Sequence, residues 1–410
     1  MTLRQQFTDG WSAAQWTRNH DLRLGHTPRA VGLLARRSRM RPGWIRPVCP
    51  SLAIMARDPA DLGHIRDQVG LALRGFVGQQ RAVLLAAGAE LLPALAALED
   101  LLAAGKRLRP AFCYWGWRGA GGPDGPQILA AAAALELLHA SALVHDDVMD
   151  GSDTRRGRPS LHRLFAARHA GQRWRGSPES FGQGAAILMG DLLLSWTDEM
   201  YHASGLPADT LRRGRAVLDL MRTEVIAGQY LDLLGQAAGN ETVESALRVV
   251  EYKSAKYTIE RPLHLGAALA GFTSGPVPAA FSAYGLPLGV AFQLRDDILG
   301  VFGDPAQTGK PASDDVREGK RTVLLAIARA RATAAQARVI DERLGDPRLD
   351  EAGAAEVRAV ITDTGALATC ETMISQHVAD AMTALAQAPV TDEAKTALAE
   401  LAVAATARHG

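Results

Sequence analysis

Two clusters of aspartates lie 150 positions apart, each inside an apolar run of helix-forming residues. The first is LVHDDVMD, with Asp146, Asp147 and Asp150, and the second is FQLRDDILG, with Asp296 and Asp297. Residues four apart stack on one face of a helix, so Asp146 and Asp150 repel each other there. Hard divalent cations take carboxylate oxygens as ligands and offset that repulsion. We therefore expect helices that bring both clusters together around bound cations.

The composition favours helices along most of the chain. Apolar residues make up 47% of the sequence and aromatic residues only 5%, whereas a sheet protein would be richer in aromatic and β-branched residues. Apolar residues recur at three- and four-residue intervals, and breakers rich in glycine and proline separate the runs. We predict an all-α fold, a single large helical bundle with a central cavity, over residues 58–410. Its roughly ten helices include segments near 126–149, 184–203, 208–235, 243–271, 276–301, 320–345, 351–386 and 391–407.

Residues 1–57 differ from this domain. They contain ten arginines, no lysine and only two acids, Asp9 and Asp21. Transit peptides are similarly rich in arginine and poor in acids. The segment lacks a continuous apolar core, however, and we predict a disordered or loosely attached extension.

Charge and cysteine usage narrow the partners and the compartment. The net charge of +1 gives no large field for nucleic acid. Cys49, Cys113 and Cys370 lie far apart, match no metal-site spacing and leave one unpaired in any disulfide scheme. No apolar stretch has the uninterrupted length of a spanning helix. We expect a reduced, cytoplasmic protein without a transmembrane segment.

The distribution of lysine and arginine along the chain suits the binding of phosphate groups. The chain has 39 arginines but only six lysines, and five of those lysines fall in the segments described here and below. In GKRLRP, Gly105, Lys106 and Arg109 lie at a helix start, where free backbone N–H groups also attract anions. A short basic run can equally be a solvated surface. Arg155 and Arg156, in DTRRGRP, follow the first aspartates and could fold back over whatever those carboxylates hold.

Further polar residues accompany the two clusters. His139 precedes Asp146 by two helical turns and so faces the same side, although a buried histidine bonded to a backbone carbonyl would have the same spacing. In the second half, Lys253 and Ser254 lie in EYKSAKYT, and Gln293 lies one turn before the second cluster. The polar loop GDPAQTGKPASDDVREGKRT could close over a phosphate and exclude water; its charged residues include Asp304, Lys310, Asp314, Asp315 and Lys320.

Together, and in this order, these segments resemble the trans-isoprenyl diphosphate (polyprenyl) synthases over about residues 60–385. The resemblance implies an all-α isoprenoid synthase fold of class I and three Mg²⁺ ions per active site. It implies that Asp146 and Asp150 bind Mg²⁺ with Asp147 in support, and that Asp296 binds a further Mg²⁺ assisted by Asp297. In one respect the chain departs from the family: Gly300 stands where many members carry a third aspartate, with Asp304 close in sequence.

The same resemblance assigns the substrates, isopentenyl diphosphate and an allylic diphosphate. The isopentenyl diphosphate would be held by Gly105, Lys106, Arg109, His139 and Arg156. The allylic diphosphate would be held by Arg155, Lys253, Lys310 and Lys320. Ser254 and Gln293 match polar positions near the reacting carbons, and Lys253 is also assigned to the catalytic set. The family is commonly dimeric, so a homodimer is expected.

Product length should depend on the residues that precede the first cluster. Ser141 and Ala142 are small and Leu138 lies deeper, which favours geranylgeranyl diphosphate over a farnesyl or a longer product. Two other readings stay open. A class I terpene cyclase shares the metal chemistry, but it would not need the second diphosphate site that Lys106, Arg109 and Arg156 supply. A regulatory subunit of a heteromeric synthase would commonly lack metal ligands that this chain keeps.

Overall fold

A computed structural model describes residues 62–239, 242–303 and 314–406. Within these ranges the chain is almost entirely helical, which confirms the all-α prediction. A 3₁₀ turn at Ala89–Leu91 and a π-helical segment at Val250–Glu260 accompany sixteen α-helices. The α-helices are α1 Leu62–Ala87, α2 Leu92–Ala103, α3 Leu108–Gly119, α4 Pro126–Asp150, α5 Leu161–Gly171, α6 Pro178–His202, α7 Ala208–Ala238, α8 Val243–Val249, α9 Arg261–Leu269, α10 Pro276–Phe302, α11 Asp314–Arg317, α12 Val323–Arg331, α13 Ala334–Arg343, α14 Glu351–Asp363, α15 Ala366–Gln387 and α16 Asp392–Thr406.

Several helix boundaries differ from the sequence prediction because local capping decides them. Helix α6 begins at Pro178, six residues before its predicted start, because Ser177 accepts a hydrogen bond from the Ser180 backbone N–H. The helix predicted over 320–345 is α12 and α13, separated where Thr333 forms a capping box with Gln336. The helix predicted over 351–386 divides between α14 and α15 at Gly365, whose φ is 70°.

The sequence showed no strand, yet the described residues contain one small hairpin. Residues Thr154–Arg155 pair antiparallel with Arg158–Pro159. The turn has Arg156 at φ 54° and Gly157 at φ 73°. A two-residue turn of this kind suits a tight hairpin, and here it fixes the two arginines that follow the first aspartate cluster.

Helices α4 and α10, which carry the two clusters, lie in the interior. Helix α4 packs mainly against α6, and α10 packs mainly against α15 and the π segment. One apolar cluster surrounds α4 and includes Leu135 and Leu263, while a second surrounds the C-terminal part of α10 and includes Ile298 and Leu324. The aspartates therefore lie on helices whose other faces are anchored in apolar cores.

Length and apolar composition alone would also let α4 and α10 cross a membrane. In their most apolar windows, 72% of the α4 residues and 50% of the α10 residues are buried inside the protein. A helix that is apolar nearly all round is expected wherever it forms the core of a large bundle. The packing within the bundle accounts for these runs, and the absence of a transmembrane segment stays a prediction.

The sequence predictions for the N-terminal extension and for Cys49 stay predictions. The extension at residues 1–57 lies outside the described residues, and so do its boundary with the domain and Cys49. The two described cysteines, Cys113 and Cys370, are buried and free.

Candidate active site

One cavity of about 960 Å³ is lined by residues of α3 and the turn before it, α4, the hairpin, α7, α8, the π segment, α10, α11 and the segment leading into α12. Its volume is at the upper end of the range for small-molecule sites. Most of the residues singled out in the sequence line it, and they come from both halves of the chain: Gly105, Lys106, Arg109, His139, Asp146, Arg155, Arg156, Lys253, Ser254, Gln293, Asp296, Asp297 and Lys320.

Asp146 lies on the cavity face of α4, two turns after His139. Lys253 Nζ donates to Asp146 Oδ1 at 3.3 Å, and Arg155 Nη2 lies 3.6 Å from Asp146 Oδ2. Burial raises the pKa of Asp146, but the positive charges of Lys253, Lys320 and Arg155 outweigh it, so that the pKa lies below its usual value. Asp146 is therefore ionised and able to act as a cation ligand.

Asp150, one turn further along α4, is the least satisfied carboxylate of the first cluster. Its side chain is 2% exposed, and among the described residues neither of its oxygens has a hydrogen-bond partner. The nearest positive charge is Lys320 Nζ, at 3.8 Å. Burial, together with the Asp146 charge, raises the pKa of Asp150 to about 7. A buried carboxylate without partners is costly, and a bound divalent cation would supply what Asp150 lacks.

Asp147 does not line the cavity, but it holds Arg155, which does. Arg155 Nε donates to Asp147 Oδ1 at 2.8 Å, and Arg155 Nη2 donates to the same oxygen over a shorter distance. The two charges are buried together, and the attraction outweighs burial so that the pKa of Arg155 is raised. Asp147 thus supports the site by orienting a guanidinium group over Asp146.

A hydrogen-bond chain connects the π segment to the second cluster. Ser254 Oγ donates to Gln293 Oε1 at 2.6 Å, and Gln293 Nε2 donates to Asp297 Oδ1 at 2.8 Å. Burial raises the pKa of Asp297 to about 8, with the negative charges of Asp315 and Asp296 adding to the effect. The chain fixes the orientation of Asp297 and leaves Asp296 lining the cavity beside it.

The π-helical segment Val250–Glu260 was not expected from the sequence, which predicted a regular helix over 243–271. π-Helical geometry is uncommon and is often found at functional sites. Here it carries Lys253, whose Nζ also donates to Asp232 Oδ2 at 2.5 Å. Despite its burial the pKa of Lys253 is raised, because Asp146 and Asp232 both favour its charged form.

Basic side chains occupy the opposite part of the cavity. Arg109 Nη2 donates to Thr258 Oγ1 at 2.8 Å, and its guanidinium carbon lies 4.3 Å from the centre of the Tyr257 ring. Arg156 Nη1 donates to the Ala104 carbonyl at 2.5 Å. Lys106 lines the same region. These contacts hold the guanidinium groups at the cavity wall, where a diphosphate could be bound.

His139 lies between the basic region and the first aspartate cluster. Burial lowers its pKa well below the usual value, and the nearby charges of Arg109 and Arg156 lower it further. Its Nδ1 has no hydrogen-bond partner among the described residues. A neutral imidazole can donate to a phosphate oxygen without adding to the positive charge around it.

Arg107 has a structural role although it belongs to the GKRLRP motif. It is buried with φ of 57°, donates to Glu136 Oε2 at 2.6 Å and also donates to the Leu102 carbonyl. Gly105, at φ 137°, lets Arg156 approach closely, since a Cβ there would lie 3.2 Å from Arg156 Nη2. Lys106, Arg107 and Arg109 all line the cavity, but the charge of Arg107 is buried against Glu136.

Lys320 approaches the acidic part of the cavity from the segment before α12. Its Nζ lies 2.7 Å from Glu318 Oε2 and 3.3 Å from Asp315 Oδ1. Ser152, just after the first cluster, donates to Glu318 Oε1 at 2.6 Å. These contacts connect the two motif regions across the cavity. Lys310, predicted to bind the allylic diphosphate, lies outside the described residues.

Some cavity residues were not assigned from the sequence. Thr258 and Arg321 line the cavity. Arg321 could have been identified from the sequence, because the tripeptide GKR occurs at 105–107 and again at 319–321. Thr258 had none, since its position depends on the geometry of the π segment.

The predicted chain-length residues do not line the described cavity. Leu138 and Ser141 are buried, and Ala142 is half-buried. Ser141 lies about 140° around α4 from the first aspartate and shares a face with His145, four residues later. The His145 ring packs so tightly on Gly190 of α6 that a Cβ at residue 190 would overlap it. Ser141 therefore lies on the side of α4 that packs against α6, and the influence of the three residues on product length stays a prediction.

No group of three or more His, Cys, Asp or Glu side chains in the described ranges is arranged to enclose a metal ion by itself. Mg²⁺ is usually bound by one or two carboxylates together with substrate phosphates, so such a group is not required. That mode of binding fits the carboxylates of Asp146 and Asp296, which line the cavity. It also fits the carboxylate of Asp150, which has no hydrogen-bond partner among the described residues.

The all-α architecture is that of the isoprenoid synthase class I fold, which the similar solved structures share. A family model described as polyprenyl synthetase matches residues 94–362, more than half of the chain. The chain belongs to this family, the trans-isoprenyl diphosphate synthases, and is a trans-prenyltransferase that makes polyprenyl diphosphates.

Similar proteins differ in product length. The geranylfarnesyl diphosphate synthase of Aeropyrum pernix is 33% identical over 301 residues, covering 72% of this chain and 88% of that protein. The nonaprenyl diphosphate synthase of Mycobacterium tuberculosis is 30% identical over 310 residues, covering 75% and 84%. A crystal structure of a geranylgeranyl pyrophosphate synthase from Corynebacterium glutamicum, complexed with isoprenyl diphosphate and magnesium, has a TM-score of 0.81 at 41% identity, covering 87% of this chain and 100% of that chain.

Proposed function

We propose that this chain is a Mg²⁺-dependent synthase that condenses isopentenyl diphosphate head-to-tail with an allylic diphosphate to give an all-trans product. The observation that carries the proposal is the division of one cavity into an acidic part and a basic part. Asp146 and Asp296 line the acidic part, while Lys106, Arg109 and Arg156 line the basic part. Two diphosphates can thus be bound by different chemistry within one cavity.

The reaction breaks the bond between carbon and oxygen in the allylic diphosphate. Three Mg²⁺ ions would be held by Asp146, Asp150 and Asp296. Their positive charge would stabilise the leaving diphosphate. Lys253 and Arg155 add fixed positive charge beside Asp146. Their effect is strengthened because the site is partly removed from water.

The second substrate would be positioned by the basic part of the cavity. Arg109 and Arg156 are already held by hydrogen bonds, so little side-chain entropy would be lost when they bind a diphosphate. His139, neutral in the protein, could donate a further hydrogen bond. The double bond of isopentenyl diphosphate then attacks the allylic carbon, and the proton lost afterwards is transferred to the departing diphosphate.

Geranylgeranyl diphosphate is proposed as the main product. The small side chains of Ser141 and Ala142 support it, and so does the similarity to the Corynebacterium glutamicum enzyme. Farnesyl, geranylfarnesyl and nonaprenyl diphosphate synthases are also among the relatives, so the family by itself does not fix the length.

The direct test incubates the purified full chain with Mg²⁺, isopentenyl diphosphate and one allylic primer at a time. Dephosphorylated products are then separated by chromatography. A C20 prenol as the main product would support the proposal, whereas a different length would correct only the product. A cyclised hydrocarbon would instead indicate a terpene cyclase, and no turnover would indicate a partner-dependent subunit.

We further propose that the chain acts as a cytoplasmic homodimer. Leu188 of α6 and Ile226 and Tyr230 of α7 are large apolar side chains that are 62–66% exposed. Neighbouring helices that both expose such residues offer an apolar surface that a second copy could cover. Light scattering on the full chain should give twice the monomer mass, and Ile226→Asp together with Tyr230→Asp should shift it to the monomer.

A further inference from the structure

The loop that connects α5 to α6 exposes a tryptophan between two arginines. All residues of this loop, 172–177, are exposed. The side chains of Trp174, of Leu164 on α5 and of Phe181 at the start of α6 are each between 40% and 45% exposed. None of these residues lines the active-site cavity. We call this surface the α5–α6 patch and define it by Leu164, Arg168, Arg173, Trp174, Arg175 and Phe181.

The aromatic side chains of the patch are held in place by the end of α5. The centre of the Trp174 ring lies 5.3 Å from that of Phe181 and 5.9 Å from that of His169, which is buried. His169 Nε2 donates to the Arg175 carbonyl at 3.0 Å, and the Trp174 backbone N–H donates to the His169 carbonyl at 3.3 Å. The loop is therefore closed against α5, and Trp174 is presented outward at little further cost in conformational entropy.

The positive charge of the patch is not neutralised by neighbouring acids. Residues 161–181 contain four arginines and only one acid, although the net charge of the whole chain is +1. One of these arginines, Arg163, pairs with Asp153. The guanidinium groups of the other three have no ion pair with any described residue: Arg168, Arg173 and Arg175.

We propose that the α5–α6 patch binds a membrane surface that contains anionic lipids. Exposed tryptophan and phenylalanine side chains insert at the boundary between headgroups and acyl chains, and arginines beside them attract anionic headgroups. The chain makes polyprenyl diphosphates, whose long apolar tails are poorly soluble in water, so a nearby membrane can take up the product. The inference goes beyond the proposed function, because the patch lies outside the cavity.

Charge and apolar exposure together favour lipid over other partners. In a two-fold contact centred on the patch, the arginines of one copy of the chain would face those of the other, and like charges repel. The phosphates of duplex DNA would attract the arginines but would leave Trp174 and Phe181 uncovered. A membrane surface offers a partner to both kinds of side chain at once.

Sedimentation of the full chain with vesicles measures the charged part of the interaction. Vesicles of phosphatidylglycerol and phosphatidylcholine should bind it, and added salt should release it by screening exposed charges. Arg173→Gln together with Arg175→Gln should weaken binding roughly 30-fold, because each arginine near an anionic surface contributes about fivefold in affinity. The matched control is Arg338→Gln together with Arg348→Gln, which removes the same charge from exposed positions on and after α13. It should bind nearly as the unchanged protein does.

Replacing Trp174 with Ala tests the apolar part of the interaction. Binding to the same vesicles should weaken roughly tenfold, because less apolar surface is inserted. The control is Val403→Ala on α16, since Val403 is also an exposed apolar side chain. The rate of condensation without vesicles should be unchanged in all of these variants, because none of the replaced side chains lines the cavity.

Each alternative gives a different result. Equal vesicle binding by the patch variants and their controls would overturn the inference and leave the proposed function intact, and so would an unchanged protein that does not sediment with the vesicles. Tighter binding to duplex DNA than to vesicles would instead assign the patch to nucleic acid. A lower molecular mass of Trp174→Ala in light scattering, without vesicles, would assign it to an interface between two copies of the chain.

Discussion

Lys253 donates to two carboxylates, Asp146 and Asp232, whereas the carboxylate of Asp150 receives no hydrogen bond from any described residue. Both side chains lie in the same acidic part of the molecule. A protein selected only for stability would pair Asp150, because an unpaired buried carboxylate is costly. The lack of a hydrogen-bond partner at Asp150 is explained if a cation binds there together with the substrate.

Replacing Asp146 with Ala should abolish condensation and leave the fold intact. The change removes a cation ligand and leaves Lys253 with Asp232 as its remaining partner, so turnover should fall by roughly 100-fold or more. Steady-state product formation measures the loss, and circular dichroism checks the helical fold. Retained turnover in a folded variant would count against the assignment of the first cluster.

His139 should make stability depend on pH. Its pKa is lowered well below the usual value in the folded protein, by burial and by Arg109 and Arg156. The unfolded chain therefore binds a proton at His139 below about pH 6.5 while the folded chain does not, so acid favours unfolding. His139→Gln should remove up to about 1.4 kcal/mol per pH unit from the slope between pH 5 and 6.5. Urea unfolding of both proteins at several pH values tests this, and equal slopes would contradict it.

At the scale of helices and turns, buried charges also anchor one element to another. The turn between α2 and α3 is joined to α4 by the ion pair of Arg107 and Glu136, both of which are buried. Arg107 is held there with a positive φ, so the pair stabilises a strained turn as well as a contact. Next to this turn, Lys106 and Arg109 face the cavity.

Breaking this pair should destabilise the protein strongly. Glu136→Ala leaves the Arg107 charge buried without its partner, which costs about 3 kcal/mol or more. The matched control is Glu99→Ala, because Glu99 pairs with Arg81 at the surface and such pairs contribute about 1 kcal/mol at most. Urea unfolding measures both. Similar losses in the two variants would show that the buried pair has no special role.

Helix packing also governs the expected product length. Ser141 faces α6 beside the close contact of His145 with Gly190, so a larger side chain would fill space between the two helices. A growing tail that runs between α4 and α6 would meet the larger side chain, so we expect Ser141→Phe to shorten the product, with Ser141→Ala as the control for the loss of the hydroxyl group. Chromatography of the products measures the effect. An unchanged length distribution in a folded variant would mean that the growing tail runs elsewhere.

The stability of the whole molecule should increase when metal and diphosphate bind together. The cavity is lined by carboxylates from α4, α7, α10 and α11 and by basic residues from the α2–α3 turn, α3, the hairpin, the π segment and the segment before α12. A ligand that contacts residues of both kinds therefore stabilises the entire bundle. Mg²⁺ with inorganic diphosphate at about 100 times the dissociation constant should raise the free energy of unfolding by about 2.7 kcal/mol.

Thermal unfolding with Mg²⁺ alone, diphosphate alone and both together tests this coupling. Only the combination should raise the melting temperature by several degrees, because Mg²⁺ binds through carboxylates and phosphate oxygens jointly. Asp150→Asn should reduce the shift. A full shift with either component alone would contradict a site shared between the protein and its substrate.

The amino-acid sequence was sufficient for the helical class and for most of the site. Helix periodicity is local, so His139 and Asp146 could be placed on one face by counting residues. The order of the motifs was enough to predict that acidic and basic segments meet, and the cavity contains nearly all of them. Apart from the earlier start of α6, the predicted helices match the structure where neither an internal cap nor the π segment interrupts the pattern.

Only the tertiary structure decided how neighbouring residues divide their roles. Arg107 forms a buried ion pair with Glu136 whereas Arg109 donates to Thr258, Ser141 does not line the cavity, and Lys253 lies in a π segment. It also brought Asp315 into the space beside Gly300. Spacing along the chain fixes directions within one helix, but which helices approach each other, and how closely, depends on contacts between residues far apart in sequence.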